Sequence, residues 1–306
     1  MWEEIVPQQG QNIGRRADPN HPLDFFITYD EKPNMQLMLL TDYQLKLPVS
    51  SKQIFVRGNK RADGKNAVCF SLEDKQLKDQ FVSLCRDIMD CTYEIQNKKV
   101  AAASALKRFK MWQKLFAEVK TKKLSETEAK GLLGELIVLK EICAKKYGIE
   151  KAIACWIGPL GADRDFEYED VWYESKFVSL SMDKVKISSL DQLDIEQRGY
   201  LVLSRFEKTS DKAEGFITLN MLVNCISDIA SENENALVSF KNRLALSGYK
   251  QDSEHAEQPY MFHRFEAYEV SSNDFPRLKR SEISASITDA EYQFSIPAIQ
   301  QWKTAI

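Results

Sequence analysis

The stretch of residues 161–176 constrains the fold more than any other part of the chain. Two strand candidates lie on either side of the polar pair Glu169-Asp170, which we take as a two-residue hairpin loop. With that loop, Tyr168 lies opposite Val171, and every other pairing in the hairpin follows by counting. The pattern therefore predicts two antiparallel strands with one buried face.

The predicted hairpin divides its side chains between two chemically different faces. One face carries apolar and aromatic residues: Phe166, Tyr168, Val171, Tyr173 and Phe177. The other face brings Asp165 opposite Glu174, with Cβ atoms ~4.5–5.5 Å apart, and places Lys176 two residues further along the same strand. The pairing that buries the aromatic side chains therefore also gathers two carboxylates and an amine.

The pair Asp165 and Glu174 has the chemistry of a metal site, because adjacent carboxylates repel each other unless a proton or a cation lies between them. Mg²⁺ fits, since it takes oxygen ligands and is held by one or two carboxylates, waters and phosphate oxygens; Mn²⁺ can substitute. Such a metal would activate a water, and Lys176 would stabilise the developing charge. Two alternatives stay open. The face could be a surface with a Glu–Lys ion pair of little energetic value, or a register slip could put Asp163 in place of Asp165.

Outside the hairpin, apolar spacing and turn residues predict an α/β protein in three regions, with boundaries at 1–105, 106–210 and 211–306. In the β-leaning N-terminal part we expect strands at 24–29, 36–40 and 54–57, then helices at about 72–95 and 100–119. The central region is expected to contain a helix at about 125–146 and strands at about 152–156, 163–168 and 171–178. A short helix from 188 and a strand at 199–206 should follow. The C-terminal α+β region should be helical over 219–246, with strands at 263–270 and 292–296. Ser125 and Glu128 have the spacing of a capping box that begins the first central helix.

Three segments of the central region carry a familiar set of residues, namely 131–136, 158–166 with 174–176, and 187–193. Together they resemble the PD-(D/E)XK nuclease superfamily, and most closely a bacterial family of PD-(D/E)XK proteins. The resemblance covers about residues 125–206 and is looser in the flanks. It implies a restriction-endonuclease-like αβββαβ core with a mixed sheet. One residue departs from the PD-(D/E)XK motif, because Arg164 occupies the position of the motif's proline.

The resemblance also implies roles for individual residues. Asp165, Glu174 and Glu135 would be the metal ligands, with Glu135 approaching from the first central helix. The implied catalytic residues are Asp165, Glu174, Lys176 and Glu135. Gln192, with Ser188 near it, stands where related nucleases place a polar residue close to the substrate. A solvent-facing glutamine on a helix is the alternative interpretation of Gln192.

The function implied by the resemblance is Mg²⁺-dependent hydrolysis of DNA phosphodiester bonds in a restriction or phage-defence system. DNA would be the substrate, an ATPase or helicase-like protein a partner, and a homodimer the means of cutting both strands. Two alternatives stay open: an inactive nuclease fold used for DNA binding or assembly, and an RNA-processing nuclease. The net charge of −3 and pI near 5.8 argue weakly against a nucleic-acid partner. The three histidines lie outside the core segments, which argues against the RNA-processing class.

Two basic segments offer possible contacts to phosphate. Residues 107–114 interleave cations with aromatic side chains, which is typical of nucleic-acid surfaces but also of an amphipathic helix with a solvated basic face. Residues 275–280 carry three cations and could equally be an ordinary exposed loop. The chain shows no basic and apolar leader and no apolar run of ~18 residues. We therefore expect a soluble, cytoplasmic protein with no membrane contact.

Overall fold

The computed structural model describes Trp2, Ile5 and residues 14–118 and 124–306. The chain divides into two compact units, residues 1–120 and 121–306. The α/β class is confirmed, because seven α-helices accompany antiparallel and mixed sheets within the described residues. The division into three regions stays a prediction, although strands from both sides of residue 210 pair in one sheet. Over the described ranges, no helix is both long and apolar enough to cross a bilayer.

The first unit contains an antiparallel five-stranded sheet. Its strands are β1 (Gly14–Arg16), β2 (Asp24–Tyr29), β3 (Met35–Thr41), β4 (Ile54–Lys60) and β5 (Asn66–Leu72), in the order β1-β2-β3-β5-β4. The three predicted strands are confirmed as β2, β3 and β4. The sequence interpretation missed β5, which pairs with both β3 and β4.

Two helices complete the first unit: α1 (Lys78–Asp90) and α2 (Lys98–Glu118). Both were predicted, and Val119, the predicted last residue of the second, lies outside the described residues. The interleaved aromatic and cationic residues of α2 are not a nucleic-acid surface, because Arg108, Phe109 and Trp112 are all buried. The helical period brings these three side chains to one face, where Arg108 and Trp112 both donate to the Asp87 carboxylate. The amphipathic-helix alternative is therefore the one that the structure supports.

The second unit is built on a mixed five-stranded sheet and a separate two-stranded one. The strands are β6 (Phe166–Glu167), β7 (Val171–Ser179), β8 (Lys184–Ile187), β9 (Arg198–Lys208), β10 (Tyr260–Glu269), β11 (Tyr292–Ser295) and β12 (Lys303–Thr304). The large sheet has the order β12-β10-β9-β7-β6, with β7 and β9 parallel and the other neighbours antiparallel. The small sheet pairs β8 with β11. The strands predicted near 199, 263 and 292 are confirmed as β9, β10 and β11.

The hairpin between β6 and β7 has the predicted register. Phe166 pairs with Tyr173, and the Tyr168 amide donates to the Val171 carbonyl at 2.8 Å. The aromatic face is buried in the core, as predicted. Asp163 is exposed, so the slipped register does not occur. The strand itself is shorter than predicted, because regular pairing on the β6 side covers two residues.

Helices cover the aromatic face of the large sheet. α3 (Glu126–Val138) begins at the predicted capping box and continues through a π-helical turn (Leu139–Cys143) into α4 (Ala144–Tyr147). The predicted strand at 152–156 is wrong, because these residues form most of α5 (Ile149–Cys155), and Trp156 alone makes a β-bridge to Phe166. Ala, Ile and Cys give a short apolar run without a period, which does not distinguish a buried strand from a helix.

The short helix predicted from Ser188 is also wrong, because residues 190–193 form a turn. The Gln192 side chain accepts a hydrogen bond from the Ser188 amide at 2.9 Å, and such local side-chain bonds compete with helix formation. The predicted helical region 219–246 is two helices, α6 (Leu219–Ala230) and α7 (Glu234–Leu246), since Asn233 caps a second start.

Candidate metal centre

The candidate site lies where β6 begins, beside β7. Asp165 immediately precedes β6, and its Oδ2 accepts a hydrogen bond from the Ser175 amide at 2.8 Å. Within the described residues, β7 from Glu174 onward pairs with β9 alone. The Asp165 side chain therefore replaces a neighbouring strand as the acceptor for Ser175. This contact holds Asp165 next to Glu174, as the hairpin register predicted.

Glu174 is the most buried carboxylate of the site, with 2% of its side chain exposed. Its Oε1 accepts from the Lys176 amine at 2.7 Å and from the Gln192 amide at 2.6 Å. Its Oε2 is buried and receives no hydrogen bond from any residue that the structure describes. Burial, with the nearby charge of Asp165, raises the pKa of Glu174 to about 8. The negative form of Glu174 is therefore poorly compensated by its present neighbours.

Lys176 stays charged in this environment. Burial alone would lower the pKa of its amine, but the carboxylates of Glu174 and Asp165 outweigh burial and raise the pKa above its ordinary value. The amine also lies 3.4 Å from Oε1 of Gln192. Because the side chain retains 17% exposure, a charged donor is available to a bound anion.

Glu135 joins the site from α3. Its Oε2 accepts a hydrogen bond from the Trp156 indole at 2.7 Å. Burial and then the charge of Asp165 raise the pKa of Glu135 well above its ordinary range. Burial likewise raises the pKa of Asp165 to about 6. Burial is the largest cause of the raised pKa in all three carboxylates, and a neighbouring carboxylate adds to it at Glu135 and Glu174.

Gly158 explains how two of the carboxylates come together. A Cβ at this position would lie 2.7 Å from Oδ1 of Asp165 and 2.9 Å from Oε2 of Glu135, closer than real Cβ atoms approach. Both Ile157 and Gly158 donate their amides to the Asp165 carbonyl, at 2.7 and 3.0 Å. The backbone therefore passes between the two side chains, and any larger residue would push them apart.

Gln192 is 8% exposed and belongs to the site, which excludes the solvent-facing alternative. Its side-chain nitrogen donates to Glu174, and its side-chain oxygen accepts from the Ser188 amide and lies near the Lys176 amine. Ser188 contributes this backbone donor, and its side chain is exposed. The structure therefore places Gln192 against Glu174 and Lys176, with the Ser188 backbone amide as its donor.

Three neighbours of the site were missed as such from the sequence: Trp156, Gly158 and Arg164. Arg164 is buried, lies 5.7 Å from the Trp172 ring centre and pairs with Glu167 at 3.2 Å. Its charge is one of the influences that lower the pKa of Glu174, against burial and Asp165. No sequence period marks these residues, although Arg164 was recognisable as a departure from the motif.

The donor set fits a hard divalent cation. Each carboxylate has one oxygen fixed by a protein donor, and the second oxygens receive no hydrogen bond from the described residues: Oδ1 of Asp165, Oε1 of Glu135 and Oε2 of Glu174. In the described ranges, no group of three or more His, Cys, Asp or Glu side chains has metal-ligand spacing. Mg²⁺ does not require such a group, because one or two carboxylates with waters and phosphate oxygens hold it.

The basic loop 275–280 does not present its arginines to a ligand. Arg277 is buried and donates to the carbonyls of Val270 and Ser272. Arg280 donates to the Thr288 carbonyl at 2.9 Å and lies 3.4 Å from the carboxylate of Asp191. Both side chains therefore brace the C-terminal segment, and a phosphate contact by this loop is not supported.

Comparison with known proteins gives one family. The family described as "Putative PD-(D/E)XK family member, (DUF4420)" matches residues 1–297. No curated protein and no solved structure matches the chain. The match extends over both compact units, so the family model includes the first unit as well as the hairpin and its carboxylates.

Proposed function

The chain belongs to the DUF4420 family of PD-(D/E)XK proteins, and on that premise we propose that it is a Mg²⁺-dependent nuclease that hydrolyses DNA phosphodiester bonds. Family membership suggests a nuclease, and PD-(D/E)XK nucleases generally use divalent metals. One observation carries the proposal: three carboxylates, each with one oxygen free of hydrogen bonds, adjoin a charged lysine. A restriction-endonuclease-like core is part of the same proposal.

In this proposal Asp165 and Glu174 would hold the cation, and Glu135 would approach it from α3 as an additional acidic residue. When bound, Mg²⁺ supplies Lewis acidity at the phosphodiester and lowers the pKa of a water. Because its amine stays charged, Lys176 acts as a donor to negative charge rather than as a base. With a pKa near 8, Glu174 holds a proton at neutral pH, and it would have to release that proton to act as a metal ligand.

The histidines support a metal mechanism over histidine acid–base chemistry. His21 is buried in the first unit, where its ring contacts the Leu23 and Met89 backbone. His263 lies on β10 beside Glu207. None of the described contacts brings a histidine to the hairpin. The choice of DNA, the defence role, an ATPase or helicase-like partner, a homodimer and a cytoplasmic location rest on the family resemblance.

The test is cleavage of linear, circular and single-stranded DNA, and of RNA, with Mg²⁺, Mn²⁺ or a chelator. We expect metal-dependent cleavage of DNA that Lys176→Met abolishes while calorimetric Mn²⁺ binding persists. Lys186→Met is the matched control, because Lys186 is a half-exposed lysine of β8 that forms an ion pair with Glu291. The proposal is wrong if the wild type neither binds Mn²⁺ nor cleaves any nucleic acid. DNA binding that survives Glu174→Ala without cleavage would identify a binding module instead.

A further inference from the structure

Two buried indoles donate to carboxylates in this protein, and the two carboxylates differ in their surroundings. The Trp112 indole lies 2.8 Å from Oδ2 of Asp87, which also forms an ion pair with Arg108 at 2.5 Å. The Trp156 indole lies 2.7 Å from Oε2 of Glu135. No arginine or lysine of the described residues forms an ion pair with Glu135. In the first case the charge of Asp87 is balanced by Arg108. In the second case the indole holds a carboxylate that forms no such ion pair among the described residues.

The position of Trp156 is set independently of Glu135. Its side chain is fully buried, and its ring centre lies 5.9 Å from that of Phe240 on α7. Arg243, also on α7 and buried, donates to the Trp156 carbonyl at 2.8 Å and to the Ala154 carbonyl at 3.1 Å. These bonds satisfy carbonyls at the C-terminal end of α5. Contacts with α7 therefore fix both the backbone and the ring of Trp156. Because the ring is fixed, the direction of the indole N–H is fixed too.

A fixed N–H restricts the Glu135 side chain. A glutamate on a helix has several rotamers, and ordering them costs about 1–2 kcal/mol. The indole bond holds Oε2 beside Gly158 and leaves Oε1 without a protein donor. Second-layer hydrogen bonds of this kind orient metal ligands, and their loss lowers metal affinity.

We propose that Trp156 is a positioning residue that presents one oxygen of Glu135 to a divalent cation, and that Arg243 holds Trp156 in place for this purpose. The inference rests on the proposed function, since it assumes a cation at the carboxylates. It assigns to α7, which lies outside the resemblance segments, a part in building the site.

The test combines Mg²⁺ titration of protein labelled with ¹⁵N at the indole nitrogens and calorimetry of Trp156→Phe. The chain has five tryptophans: Trp2, Trp112, Trp156, Trp172 and Trp302. We expect the Trp156 resonance, identified by its loss in Trp156→Phe, to shift on Mg²⁺ addition, because its acceptor becomes a metal ligand. The Trp112 resonance should stay unchanged, because the acceptor of its indole, Asp87, is paired with Arg108. Trp156→Phe should lower Mn²⁺ affinity by about 10–100-fold, and Trp112→Phe should leave it unaltered.

The outcomes separate this inference from the proposed function. If the wild type binds Mg²⁺ while the Trp156 resonance stays in place and Trp156→Phe binds as tightly, the positioning role is overturned and the metal site stands. If the wild type binds no divalent cation, with or without DNA, both fail. Should Trp156→Phe not fold, the titration of the wild-type resonance still decides the question.

Discussion

We expect the metal-free protein to lose stability as the pH rises from about 5 to about 8, and Glu174→Gln to remove the share of this loss that comes from Glu174. Asp165 and Glu135, whose pKa values are also raised, contribute the remainder. Folded Glu174 has a pKa of about 8, against an ordinary value of 4.5. Between those values the folded state keeps a proton that the unfolded state releases, so the free energy of unfolding falls as the pH rises. The slope is about 1.4 kcal/mol per pH unit for one such group, which gives on the order of 4 kcal/mol across this interval.

The assay is urea unfolding in the presence of a chelator at several pH values, followed by tryptophan fluorescence. Glu266→Gln is the matched control, because Glu266 is also buried in the large sheet. Its ion pair with Arg205 at 2.9 Å and its other cationic neighbours outweigh burial and lower the pKa of its carboxyl. Glu266→Gln should therefore destabilise the protein at neutral pH by about 3–5 kcal/mol, because it leaves the Arg205 charge buried and unpaired.

Parallel pH slopes for the wild type and Glu174→Gln would refute the reasoning, since they would mean that Glu174 is ionised in the folded state throughout. A second check uses Mg²⁺ at about pH 8. A cation that binds the folded carboxylates should restore stability to the wild type by mass action. The same addition should have a much smaller effect on Glu174→Gln.

Three further outcomes follow from contacts already described. Gly158→Ala should lower Mn²⁺ affinity in calorimetry by about tenfold or more, because its Cβ would meet two carboxylates, whereas Gly131→Ala, whose Cβ meets nothing within 4 Å, should not. Gln192→Ala removes one of two donors to the buried glutamate and should weaken Mn²⁺ binding about tenfold; unchanged affinity would contradict a role for this amide. Arg108→Met should destabilise the first unit by about 3–5 kcal/mol in urea unfolding, since it removes the ion pair of Asp87, and a loss under about 1 kcal/mol would argue against it.

The part of the site that the sequence predicts is the part governed by a strict local period. Strand side chains alternate with a period of two, so fixing the loop at Glu169-Asp170 fixes the whole register and brings Asp165 to Glu174. The capping box at Ser125 is likewise local, because its two hydrogen bonds span three residues. Glu135 was placed by resemblance rather than by period.

The parts that could not be predicted depend on contacts between distant residues or on runs without a period. Arg243 and Trp156 are 87 positions apart, and nothing local marks their bond. The apolar residues before Trp156 suit a strand and a helix equally well, and burial among the helices favoured the helix. In contrast, β8 (Lys184–Ile187) was missed although lysine alternates there with valine and isoleucine, which is the period of a strand.

The hydrogen bond between Asp165 and the Ser175 amide has a consequence for how sequences in this family diverge. This carboxylate satisfies a backbone donor on a strand edge that pairs with no other strand among the described residues. A copy that had lost its activity would therefore still be under selection to retain the aspartate. Glu174 accepts from the side chains of Lys176 and Gln192 rather than from a backbone amide, and burial disfavours its charged form. In a diverging lineage, retention of Asp165 is therefore weak evidence of activity. Replacement of Glu174 by a neutral residue is the earlier sign that activity has been lost.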